Sequence, residues 1–165
     1  MWLYVFGHEA THAVWTWFFG GRVKQFRATS RGGHVVITKT NFLVTLAPYF
    51  FPFYALVWMG LFSLGNWFWN WSAFLTPFHL ILGSLYAFHL SLTWHILQTH
   101  QPDLQLEGHF FSYVIIWLGN VLVLLVAIPC LSPQSSLMDT AHDVLIEIGK
   151  LASTLQKLVQ KAIQR

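Results

Sequence analysis

Four stretches of nearly unbroken apolar residues, near 1–19, 42–64, 74–97 and 109–131, punctuate the chain. Each is long enough to cross a hydrocarbon core of about 30 Å, which takes roughly 20 helical residues. The second and fourth carry no Asp, Glu, Lys or Arg. Aromatic residues crowd the segment ends and the run Asn66 to Trp71, where rings are expected to lie at headgroup level and the chain to turn over 65–73. Between the first two stretches, Arg22 to Thr38 reads as a short hairpin, with Val23, Phe26 and Ala28 on one arm, Ser30 to Gly33 as the turn, and Val35, Val36 and Ile37 on the other. After Pro133 the pattern becomes that of an amphipathic helix, apolar at Ala141, Val144, Ile148, Leu151, Leu155, Leu158 and Ala162 in steps of three and four. The expected fold is an all-α polytopic membrane protein with about four transmembrane helices, a short β-hairpin after the first, and a C-terminal amphipathic helix. Its parts are a transmembrane core over 1–131, a linker over 132–136 and a tail helix over 137–165.

Composition strengthens that picture. Of 165 residues, 55% are apolar, 18% aromatic and only 9% charged, against about 25% charged in an ordinary soluble domain, which excludes a water-soluble globule. From Thr40 to Met138 the formally charged side chains are Asp103 and Glu107 alone. The net charge of +3 does not point to nucleic acid, because Arg22, Lys24, Arg27, Arg31 and Lys39, five of the nine basic residues, lie in the one short loop between apolar segments. By the positive-inside rule that loop faces the cytoplasm, the Trp-rich turn lies outside, and the 98–108 loop returns to the cytoplasm. The single cysteine, Cys130, allows neither a disulfide framework nor a cysteine metal cluster within one chain. Met1 to Phe19 lacks the basic start and cleavage site of a signal peptide, so the first segment is expected in the mature protein. With no polar lead before Trp2, further residues upstream are expected in the natural chain.

The polar residues within the first stretch carry the chemistry. His8, Glu9, Ala10, Thr11 and His12 spell His-Glu-x-x-His. On a helix, residues four apart are offset by about 40° and roughly 6 Å, so both imidazoles can meet one tetrahedral metal ion. A carboxylate beside them can hold a metal-bound water and take its proton. Random order would produce this pattern in about one such chain in a hundred, but an ionisable trio within a membrane segment costs several kcal/mol. A hydrolytic zinc wants a third protein ligand. Asp103, just after Pro102 at the entry of the last helix, is the first choice, and Glu107 the second. His100 and His109 flank them and are weaker alternatives. His79, His89 and His95 are ten and six residues apart and share no helix face, so interior hydrogen bonding is expected of them. His34 is expected to be an exposed loop residue.

Together with the Gly20-Gly21-Arg22-Val23 step, the Gly32-Gly33-His34 strand, Ala47-Pro48-Tyr49 at an expected helix start and the later acid-bearing loop, the motif resembles the site-2 protease family of intramembrane zinc metallopeptidases, and most of all its compact bacterial branch. The resemblance covers residues 7 to about 120. It implies a catalytic core of three helices with a zinc site sunk in the bilayer near the cytoplasmic face of a bacterial cytoplasmic membrane, one Zn²⁺ per chain, His8 and His12 as ligands, and Glu9 as base. Its substrates would be transmembrane segments of other membrane proteins, and the hairpin strand would pair with an extended substrate. The family's usual Asn-x-x-Pro-x-x-x-Leu-Asp-Gly motif is replaced here by Pro102 to Leu106-Glu107-Gly108, with Glu where Asp is expected, which leaves the third ligand between Asp103 and Glu107.

Two other function classes compete with a protease. One is a non-catalytic membrane adaptor that keeps the fold and acts through its C-terminal helix, by self-association or a partner helix over 137–165; the simpler role for that helix is to lie on the bilayer or pack on the core. Intact Glu9 counts against the adaptor. The other is a prenyl-protein type of membrane metalloprotease, against which the two Gly-Gly elements and the small size argue. Diiron chemistry would need further His-rich clusters.

Overall fold

The computed structural model describes residues 1–131 and scattered helical positions between 142 and 160; the 132–136 linker and the heptad seam of the tail lie outside the described residues. The chain divides into two compact units, Met1–Gly119 and Asn120–Arg165. The described part is mainly helical with one two-stranded sheet, in the order α1 (Trp2–Phe18), β1 (Val23–Thr29), β2 (Gly32–Ile37), α2 (Phe42–Phe50), α3 (Phe53–Trp69), α4 (Leu75–Leu97), α5 (Pro102–Glu107) and α6 (His109–Leu131).

Two helical stretches, Trp71–Leu97 and His109–Ala127, are long and apolar enough to cross a membrane, and a third counts if α2 and α3 are one bent span. That is fewer than the four expected. The 17 residues of α1 reach only about 25 Å at 1.5 Å per residue. The second apolar stretch is not one helix, because it bends by 75° between Phe50 and Phe53. Pro52 is the cause. The residue before a proline is driven out of the α region, and Phe51 is accordingly extended at φ −96°, ψ 106°. The helix also begins earlier than the Ala47-Pro48-Tyr49 step suggested: Asn41 caps it by accepting from the Val44 N–H at 2.9 Å. The Trp-rich turn expected over 65–73 is mostly helical. α3 continues to Trp69, and the reversal is made by Asn70, left-handed at φ 51°, followed by a 3-10 turn over Trp71–Phe74.

The hairpin forms as expected, with a tighter turn. β1 and β2 are antiparallel, Thr29 opposite Gly32 and Val23 opposite Ile37. It is reached through Gly20, whose φ of +69° lets the chain leave α1 with Gly21 N–H bonded back to the Thr16 carbonyl at 2.8 Å, the usual role of glycine after a helix end. Trp2 Nε1 donates to the Ala28 carbonyl at 3.2 Å, and Phe6 meets Phe26 edge-on, so the hairpin is laid back along α1. Across α1 from the hairpin, Trp15 packs edge-on against Phe50 and Phe51. The core of the first unit gathers Leu46, Ala47, Tyr49 and Phe50 of α2 with Leu104 of α5 and Ile116 of α6. The 98–108 segment, read as a loop, thus holds a short helix docked by its one buried side chain, Leu104.

Candidate metal centre

The helical spacing of His8 and His12 does what the sequence predicts: both rings leave α1 on one side, with their Nε2 atoms 3.2 Å apart. Asp103 joins them from α5. Its Oδ2 lies 3.5 Å from His8 Nε2 and 3.6 Å from His12 Nε2, and these three residues form the one group of metal-competent donors among the described residues. A tetrahedral zinc shell with bonds of about 2.0–2.1 Å has edges of about 3.4 Å. The three observed separations bracket that edge, so the donor set fits one ion.

The tautomer supports the fit. His12 Nδ1 lies 2.8 Å from the Val44 carbonyl, which can only accept, so Nδ1 carries the proton and a neutral His12 presents a lone pair at Nε2. That carbonyl is available for a local reason. In an α-helix it would accept from the N–H four residues on, but residue 48 is proline and has none. Val44 is fully buried, and a buried carbonyl needs a partner; the imidazole of His12 supplies it. His8 Nδ1 lies 3.4 Å from the Tyr4 hydroxyl. Burial opposes ionisation of Asp103; when the facing imidazoles carry a proton in place of a metal, His12 and His8 outweigh that and hold its carboxyl well below the usual carboxylate range.

Glu9 is 8% exposed and lines a cleft of about 330 Å³ together with His8, His12, Asp103 and the β2 residues Gly33, Val35 and Ile37. A second cleft of about 320 Å³ reaches Glu9, His8, Gly33 and Gln101 from the side of the hairpin turn. Gly33 sits where the two meet. A Cβ there would come within 2.7 Å of the Arg27 carbonyl and of Val5 Cγ1, and within 2.8 Å of Glu9 Cγ, so the strand lies over the acid only because residue 33 has no side chain.

The other sequence candidates are elsewhere. Glu107 is not in the donor group. His100 bonds to the Gln105 amide at 3.1 Å on an exposed surface, His79 packs against Phe78, and His109 faces Tyr113. His34 does line the larger cleft. Tyr49 is a contributor that the sequence did not single out as part of the centre: its hydroxyl lies 2.9 Å from Asp103 Oδ2. Nothing local marks it, since the contact joins residues 54 apart. Comparison of the chain with protein-family models, with curated proteins and with solved structures gave no match, so any functional reading rests on these residues.

Proposed function

We propose that the chain is an intramembrane zinc metalloprotease that cuts peptide bonds in or near transmembrane segments of other membrane proteins. The observation that carries this reading is the convergence of His8 Nε2, His12 Nε2 and Asp103 Oδ2 at tetrahedral-edge separations in a cleft that Glu9 also lines, between α1, α5 and the β2 strand. A bound zinc ion would polarise the scissile carbonyl and acidify water. The protein supplies the rest. Glu9, half of the His-Glu pair and lodged under Gly33, takes the proton from the attacking water and returns it to the departing amine nitrogen. The β2 strand bonds to β1 along one side and contributes Gly33, Val35 and Ile37 to the cleft. Backbone pairing there holds a substrate segment extended, which a helical substrate needs because its carbonyls are otherwise bonded within the helix. Substrates with small or helix-breaking residues unwind most readily. The basic residues of the hairpin favour a cytoplasmic side for the cleft by the charge rule.

The test uses the detergent-purified full chain and a set of single-span peptides carrying Gly, Pro or Asn near one membrane border. The wild type should cleave members of the set, and both a chelator and Glu9→Gln should stop it. Metal binding without cleavage of any peptide, and no difference between wild type and Glu9→Gln, would overturn the protease reading in favour of an adaptor.

A further inference from the structure

The geometry points to Tyr49 as the residue that positions the third metal donor, holding the Asp103 carboxylate in its ligating orientation through a hydrogen bond from the phenol to Oδ2. The inference rests on the metal-centre reading above and concerns a residue that the His-Glu-x-x-His chemistry does not use.

Three observations carry it. First, the direction of the hydrogen bond is settled by its partners. The phenol oxygen has two acceptors within reach, Asp103 Oδ2 at 2.9 Å and Gln101 Oε1 at 3.4 Å, and the Gln101 amide nitrogen is turned away, donating to Thr99 Oγ1 at 2.7 Å. The phenol is therefore the donor, and the shorter bond goes to the charged acceptor, where such bonds are strongest. Second, the oxygen it grips is the one that faces both imidazoles at 3.5 and 3.6 Å, so the bond selects the carboxylate rotamer in which Oδ2 completes the donor set. Third, Tyr49 cannot easily move: it is 0% exposed, its ring meets His8 edge-on at 5.4 Å, and it belongs to the same packed cluster as Leu104, the neighbour of Asp103. A short helix of six residues would hold a ligand loosely by itself. Tyr49 removes that freedom before any metal arrives, as outer-shell groups do at metal sites.

The test is zinc and cobalt titration of the purified full chain with Tyr49→Phe, which keeps the ring and deletes the hydroxyl. The expected result is a dissociation constant raised about 10- to 100-fold and an altered visible spectrum of the cobalt form, because the freed carboxylate changes its coordination. Unchanged affinity and spectrum would overturn the inference while leaving the metal centre intact; a wild type that binds neither ion would instead overturn the metal-centre reading itself. If Tyr49→Phe does not fold, the wild type labelled with ¹³Cζ-tyrosine serves, its Tyr49 resonance assigned by elimination with Phe at Tyr4, Tyr54, Tyr86 and Tyr113. In the metal-free protein Asp103→Asn should move that resonance, because the phenol loses its charged acceptor, and a static one would overturn the inference.

Discussion

His12 occupies the hydrogen-bonding place that Pro48 leaves open on α2: its Nδ1–H is received at 2.8 Å by the Val44 carbonyl, which no backbone N–H at residue 48 can claim. Proline within a helix is ordinarily a cost of about 3 kcal/mol, and here the lost bond is replaced by one that sets a ligand's tautomer. Replacing Pro48 with Ala returns a competing N–H. The metal-free protein should then melt no lower than the wild type, while zinc affinity falls about 10-fold or more, as for other outer-shell changes. Thermal melting and metal titration on the same preparation check both halves.

The identity of the third donor is tested by exchange of the two acids. Asp103→Asn should lower zinc content of the purified protein from about one per chain toward zero at modest free metal, since two histidines alone make an incomplete site. Glu107→Gln should leave it unchanged, because Glu107 stands outside the donor group. Elemental analysis of both variants beside the wild type decides it.

Gly33→Ala separates the acid from the metal. The added methyl group meets the Arg27 carbonyl and Val5 Cγ1 at 2.7 Å and Glu9 Cγ at 2.8 Å, of which the backbone carbonyl cannot yield without moving the strand. A loss of about 1–3 kcal/mol is expected from the overpacking, with cleavage of peptide substrates reduced at least 10-fold and zinc content kept. Zinc lost together with activity would show that the strand supports the metal donors as well.

Leu104 is the anchor of α5. It is 1% exposed, and truncation of a buried leucine costs about 2–5 kcal/mol. In Leu104→Ala that cost should appear locally, as faster hydrogen exchange over residues 102–107 and weaker zinc binding, because Asp103 is the next residue. Exchange confined to its wild-type rate would mean that α5 is held by other contacts.

Much of the centre is legible in the chain because it is local. The His8–His12 spacing is a property of one helix turn, and Asp103 is one of only two acids between Thr40 and Met138. The hairpin was legible for the same reason, its alternating pattern and Ser30–Gly33 turn chemistry lying within a few residues. What the pattern conceals is long-range or directional. The bend between α2 and α3 hides in a continuous apolar stretch, since hydropathy does not register Pro52 as a break. The contributions of Val44 and Tyr49 arise only once α2 is packed against α1 and α5, and neither residue type announces such a role. Asn66 to Trp71 misled because aromatic residues at a membrane border are compatible with a helix as well as with a turn.

The 75° angle between α2 and α3 also has a consequence for the lipid. Two such helices cannot both stand upright in a bilayer: sharing the inclination equally tips each by half of 75°, already near the limit of about 40° at which membrane helices are found, and any other division tips one of them further. Residues 44 to 50 of α2 are all buried within the protein, whereas most of α3 is exposed or half-buried, so the bend turns one continuous apolar stretch into an inner segment screened by protein and an outer one left to meet apolar surroundings.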